Sequence, residues 1–372
     1  MQLRLIARPQ PSRTMYYLSP LLAVVFAIIG SGVIFALMGK PPIKALEIMF
    51  ISPLIGLNNL AELGLKATPL LLCAIGIAIG CRASVWNIGA EGQLTLGALA
   101  GSWVALRFGG AGHVWALPLM MIAGVVGGAA WAAIPAFLRT RFNAHEILTT
   151  LMLSYVAIQL LNFLVRGPWR DPAGFNFPQS KEFADDVTMP ILIANTRLHM
   201  GAVIALICVP VAEILMRRSL IGYHVRVVGL APGAARYAGF SEKRTVWFCL
   251  LVSGGLAGFA GIGEVAGPLG QLQPVISPGY GFAAIIVAYL GRLNPFGILL
   301  ASLLMALVYL GGDTLQVSLQ MPDATAGVIQ GMLLFFLLGM DLFIGFRPRL
   351  SPTPRGVPTP GTAVTAGALS DA

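Results

Sequence analysis

The residues best placed to do chemistry in this chain are amides and carboxylates that interrupt otherwise apolar stretches. Asn87, Glu91 and Gln93 fall within Arg82-Ala-Ser-Val-Trp-Asn-Ile-Gly-Ala-Glu-Gly-Gln-Leu94, where Gly89 and Gly92 break two apolar runs. Groups of this kind can hydrogen-bond a polar solute or satisfy irregular backbone. They do not form a nucleophile with its base. The chain has no G-x-x-x-x-G-K-[ST] phosphate loop, no H-E-x-x-H and no G-x-S-x-G. His113, His145, His199 and His224 are scattered, and Cys73, Cys81, Cys208 and Cys249 form no C-x-x-C pair. The cysteines are expected to pack as small apolar side chains. Neither an enzyme nor a metal or other cofactor bound by this chain is expected.

Two more segments stand apart from their surroundings. In Gly222–Phe240, Pro232 suits the first turn of a helix and Gly239 its end. Between them lie Ala234, Ala235, Arg236, Tyr237 and Ala238, too little bulk to bury a core. Docking into a groove on a partner and an ordinary connecting loop both fit. In Ser277–Gly297, the apolar run 281–291 is flanked by Gly281 and by Gly291-Arg292-Leu293-Asn294-Pro295. It reads as a discontinuous helix or as a simple hairpin. The 82–94 break is open in the same way. Irregular backbone at membrane depth survives only where protein or a water-filled cavity satisfies it, and broken helices often build transporter sites. A polar turn at the membrane interface fits the spacing equally.

The elements that must position these segments are set by composition. Apolar residues make up 57% of the 372 and charged residues 10%, with a mean hydropathy of +0.81. A soluble domain carries charge on about a quarter of its positions, so a bilayer is the expected solvent. The formal charge of +9 sits in short clusters between apolar runs, without a basic stripe of interleaved aromatics. That placement suits orientation signals, and nucleic acid is not expected as a partner.

A bilayer core of about 30 Å needs about 20 apolar helical residues to cross it. Spans are expected near 18–39, 67–85, 93–108, 114–138, 147–165, 198–216, 246–268, 281–291, 296–312 and 325–346. The fold class is therefore all-α, a polytopic transmembrane bundle of about 10 spans with discontinuous helices. The first span is too long for a secretory leader. Lys and Arg concentrate on one side of this arrangement, which places both termini in the cytoplasm. The expected organisation is a cytoplasmic segment at 1–14, a transmembrane domain at 15–346 and a disordered cytoplasmic tail at 347–372 rich in Pro, Gly, Ser and Thr. Residues 166–197 form a mixed-charge external loop.

Carboxylates near the midplane would point to an ion-coupled carrier. Glu213, Glu264 and Asp341 each lie close enough to a span end to reach the interface, which weakens that reading without removing it.

The stretches WNIGAEGQ, VVGLAPGAARYAGFSEKRT and GYGFAAIIVAYLGRLNPFG resemble the signatures of ABC-importer permeases of the branched-chain amino acid, ribose and nucleoside group, in that family's order. The similarity covers about residues 15–346, and the first stretch is most similar to the nucleoside branch. The resemblance implies an inner-membrane permease that imports a nucleoside, or alternatively a simple sugar. It implies four partners: a tandem ABC ATPase binding ATP-Mg, a second homologous permease chain in a heterodimer, a periplasmic or lipid-anchored solute-binding protein, and membrane lipids. Asn87, Glu91, Gln93 and Phe282 would bind solute. Gly229, Ala235, Arg236, Tyr237 and Gly239 match the coupling helix that receives work from the ATPase. One departure is Ala283-Ala284, where the family often shows an acidic-glycine pair.

Overall fold

In the computed structural model, residues 2–8, 10, 12–322 and 324–351 are described. A strand β1 (Gln2–Ala7) leads into α1 (Arg13–Leu37), α2 (Pro42–Phe50), α3 (Leu57–Arg82), α4 (Ala90–Phe108), α5 (Ala116–Phe142) and α6 (Glu146–Arg166). A long irregular segment precedes α7 (Gly201–Arg218), α8 (Leu220–Leu230), α9 (Pro232–Tyr237) and α10 (Glu242–Glu264). The chain continues through a π-turn (Val265–Leu269) to α11 (Tyr280–Leu290), α12 (Pro295–Leu319), α13 (Ala324–Gly345) and β2 (Phe346–Ser351).

Local sequence sets the helix starts. The Ser12, Ser219 and Ser241 side chains accept from Met15, Gly222 and Arg244 N–H groups at the heads of α1, α8 and α10. Asn294 caps α12, and Pro295 follows at its first position.

The bundle is a polytopic membrane fold, but it has seven candidate spans, not about ten. Among the described residues, α1, α3, α5, α6, α10 with its π-turn, α12 and α13 are long and apolar enough to cross a membrane. The three other expected spans fall short for separate reasons. The first turn of α4 carries Glu91 and Gln93, and the last turns of α7 carry Glu213, Arg217 and Arg218. At 11 residues, α11 reaches only about 16 Å. β1 and β2 pair antiparallel, from Gln2 opposite Ser351 to Ala7 opposite Phe346, so the described ends lie side by side. Residues 347–351 of the expected tail are therefore in β2, and the remainder lies outside the described residues.

The helix α3 is the axis of the fold. Of its most apolar stretch 89% is buried, against 17–22% for α1, α5, α6 and α13, which turn Leu21, Ile29, Val126, Phe163, Phe335 and Leu338 outward. Apolar residues facing out and small residues facing in suit lipid rather than water. The helices α4, α5 and α10 pack almost backbone to backbone. A methyl group on Gly97 would overlap the Gly258 backbone, and one on Gly128 would overlap Gly254.

Four long-range bonds tie the α1–α13 pair to the centre. Arg292, at the α11–α12 turn, donates to both Asp341 carboxylate oxygens (2.8 and 2.6 Å), to Ser19 Oγ and to the Tyr16 carbonyl (3.0 Å). Asp341 is thus a paired structural carboxylate. Glu213 is likewise paired, with Arg217 one turn on at 2.6 Å.

Candidate functional site

Between α3 and α4 the chain leaves helical geometry for residues 83–89, where buried Ala83, Val85, Asn87 and Gly89 alternate with exposed Ser84 and Trp86. Backbone donors freed on the buried side need partners. One face of α6 supplies three of them. Glu146 Oε1 accepts from Trp86 N (3.4 Å), Thr150 Oγ1 from Ile88 N (3.2 Å) and Ser154 Oγ from Gly92 N (3.3 Å). These α6 residues recur every four positions, which stacks them on one helical face. All three are buried. That spacing, polar at i, i+4 and i+8 in an apolar helix, is the sequence signal for this face.

The amides of Asn87 and Gln93 pair reciprocally. Asn87 Nδ2 donates to Gln93 Oε1 (2.8 Å) and to Ser253 Oγ on α10 (2.8 Å), and Gln93 Nε2 donates back to Asn87 Oδ1 (3.0 Å). The same Asn87 oxygen accepts from Gly89 N (3.0 Å). Both side chains are buried, and Asn87 has both of its amide hydrogens and two acceptor sites engaged.

Glu91 faces the other discontinuous helix. Its Oε2 accepts from Gly281 N at 2.7 Å, in the first turn of α11. Unpaired amides and the helix dipole make such an end favourable for a carboxylate. α4 and α11 therefore meet start to start. Gly281 is required by this approach, since a methyl there would overlap the Glu91 backbone. Phe282 is half-buried beside this contact, while Ala283 and Ala284 are buried. The larger cavities, about 780, 610 and 400 Å³, do not reach Asn87, Glu91, Gln93 or Phe282.

The third motif stands close by. α8 ends against α3, where Gly229 packs on the carbonyl of Arg82 and accepts from Ser84 Oγ (3.2 Å). The short α9 follows. Ala235 is buried, Arg236 is exposed with Glu242 at 3.7 Å, and Tyr237 is 97% exposed. Gly239 ends the turn at φ +80°, a region other residues rarely adopt, and its N–H donates to the Arg236 carbonyl (3.1 Å). Arg82 also donates to the Leu293 carbonyl (2.5 Å) in the α11–α12 turn. All three sequence motifs thus meet at one residue, Arg82, which begins the break.

Toward the far end of the bundle from α9, Lys66 pairs with Asp313 (2.9 Å) and Arg197 holds Glu62 with two bonds (2.8 and 2.7 Å). Glu264 does not reach the interface. It is 8% exposed. The 166–200 segment seals it in, with Met189 N bonded to Ala266 O (2.9 Å) and Phe183 N to Gly270 O (2.8 Å).

His199 lies in that same segment, where burial pushes its pKa down to about 4 from the ordinary 6.5. Its Nδ1 accepts from Gly201 N (3.1 Å), which requires the neutral ring. An unfolded chain takes up this proton near pH 6.5 and the folded chain only near 4. Stability is therefore complete above 6.5 and falls as pH drops through that window. Thermal unfolding in detergent at pH 7.5, 6 and 5 is expected to show this decline, and His199→Gln to flatten it.

A profile of the branched-chain amino acid transport system / permease component family matches residues 59–338. The chain is 36% identical over 357 residues to a glucose ABC transporter permease protein of Haloferax volcanii, covering 93% of each. It is 31% identical to a nucleoside ABC transporter permease protein of Lactococcus lactis, covering 88% of this chain and 92% of that one. A guanosine ABC transporter permease protein of Bacillus subtilis is 26% identical, with 87% and 94% covered.

Proposed function

This chain belongs to the branched-chain amino acid transport system / permease component family, and from that premise we propose that its solute is a simple sugar. It is a multi-pass ABC-importer permease subunit for a small polar solute, a transport protein and not a catalytic enzyme. The sugar reading is carried by one observation: the 36% identity to a glucose permease extends over 93% of both chains. Nucleoside is the second reading, favoured by the 31% match and by the Asn-Ile-Gly-Ala-Glu-Gly-Gln stretch at 87–93.

The rest of the machine follows from family membership. A tandem ATPase would dock at α9, a second permease chain would complete the pathway, and an external binding protein would deliver solute. Arg236 and Tyr237, exposed on a short helix with little else to do, would be read by the ATPase. Gly229 would pass the displacement to Arg82, and Arg82 to the break holding Asn87, Glu91 and Gln93. The polar groups there bond to one another, so solute would compete for them only once α4 and α11 part. Phe282 would line the opened gap.

Alanine at Asn87 is expected to lower uptake by about 10-fold or more, since it strands Gln93 and Ser253 at about 1–3 kcal/mol each. Glu91→Gln keeps the shape, loses the charge at the α11 start and is expected to have a smaller effect. Vesicles containing this chain with a partner ATPase, a second permease chain and a binding protein test the whole reading. ATP-driven uptake of labelled glucose supports a sugar, and uptake of uridine instead supports the second reading. Uptake by this chain alone on a proton or sodium gradient would sink both.

A further inference from the structure

The outer face of α6 differs from those of the other exposed spans. Every exposed residue of α1 from Leu21 onward, of α5 up to Phe137 and of α13 is apolar or glycine. On α6, Tyr155, Gln159 and Arg166 are exposed and Asn162 is half-buried. At 3.6 residues per turn these four positions fall within about 60° of one another. They lie on the side away from Glu146, Thr150 and Ser154, which face the break. α6 is thus polar on both sides.

Depth makes the outer amides unusual. The 21 residues of α6 centre on Val156. Gln159 lies about 5 Å from that centre, Asn162 about 9 Å and Arg166 about 15 Å. Both amides therefore sit inside a hydrocarbon core of about 30 Å, with Arg166 at its edge. An amide facing lipid tails is unfavourable unless water or another polar group reaches it.

A dry contact with another helix would favour small residues, which let backbones approach in lipid. This face has bulk instead, and it carries a cavity of about 610 Å³ lined by Gln159, Asn162, Phe163, Arg166 and Gly167. One Asn162 N–H donates to the Ile158 carbonyl (3.0 Å), which orients the side chain. The amide has a second N–H and an oxygen to offer. A few oriented polar groups beside aromatic rings are the make-up of a small-ligand site.

We infer that the outer face of α6 is wet in the assembled transporter, and that Gln159 and Asn162 hydrogen-bond the solute in transit, with Arg166 at the mouth. The second permease chain supplies the facing wall. α6 then carries solute on one face and the break on the other, so a shift of the break moves the groups that hold solute. The inference rests on the transport reading and holds for a sugar or a nucleoside.

Leucine separates the alternatives, because a lipid-facing amide gains from becoming apolar. In vesicles with a partner ATPase, a second permease chain and a binding protein, Gln159→Leu and Asn162→Leu are each expected to lower maximal uptake about 3–10-fold, the worth of one neutral hydrogen bond. Their unfolding temperatures should not fall. In the same vesicles Gln159→Cys is expected to react with a charged, membrane-impermeant thiol reagent well above the wild-type background. Val126→Cys, on the apolar face of α5, should stay at that background. Labelling reads water on this face whether or not either solute is imported, so failure of the transport reading and failure of this inference are told apart. Wild-type uptake in both leucine variants, or Gln159→Cys as unreactive as Val126→Cys, would overturn the inference.

Discussion

Gly229→Val is expected to lower ATP-driven uptake by about 5–150-fold while the chain still inserts in the membrane. A methyl at this position would lie 3.0 Å from Ala83 Cα, 2.9 Å from the Arg82 carbonyl carbon and closer still to its oxygen. These are backbone atoms, so no side-chain rotation relieves the overlap, and valine adds two more carbons. α8 must therefore lift from the end of α3, which also breaks the Ser84 to Gly229 bond. Overpacking of this kind costs about 1–3 kcal/mol. Drawn from the docking of α8 and α9 on α3, that is a change of about 5–150-fold in coupling. The α3 core above is untouched, so insertion survives. Arg236→Glu makes the companion measurement, because it reverses an exposed charge on α9 without disturbing packing. Loss of uptake in both variants, with normal membrane levels, supports transmission from α9 to Arg82. Wild-type uptake in Gly229→Val would show that this contact carries no work.

Why was the route from α9 to the break only half legible in the sequence? The ends of α9 were, because Pro232 and Gly239 constrain the backbone whatever surrounds them. So was the existence of the break, since glycine and amides interrupt two apolar runs. What satisfies the break was not. The Glu146, Thr150 and Ser154 face lies some sixty residues away in sequence, and the Arg82 to Leu293 bond joins helices separated by most of the chain. Burial misled in the same manner. Glu264 stands near a helix end, and nearness to an end ordinarily means access to water, but the 166–200 segment folds back over it. The span count failed where apolar run length was trusted over polarity. α4 and α7 are helices throughout, yet Glu91, Gln93, Glu213, Arg217 and Arg218 keep them from being apolar enough to cross.

Gly258→Val is expected to do more damage than any other single substitution, because it acts on three helices at once. A methyl there would lie 2.9 Å from Gly128 Cα and nearer to the Gly124 carbonyl, while Gly97 presses on the Gly258 backbone from the other side. In water, a displaced apolar helix would still be driven back by burial. In lipid the surroundings are as apolar as the helix, and association rests on close packing. Pushing α10 from α4 and α5 therefore forfeits contact without any compensating drive. A loss of about 4–5 kcal/mol belongs with the largest single-site effects, enough to exhaust the stability of many domains. The control is Gly331→Val on α13, where an added methyl meets nothing within 4 Å. Both substitutions add the same atoms to a glycine in an apolar helix, so hydrophobicity and helix propensity cancel between them. Thermal unfolding and the monodisperse fraction after detergent extraction should collapse for Gly258→Val and stay near wild type for Gly331→Val. Equal behaviour of the pair would mean that the three helices are not held by backbone contact, and that the spacing setting Asn87 beside Ser253 on α10 has another origin.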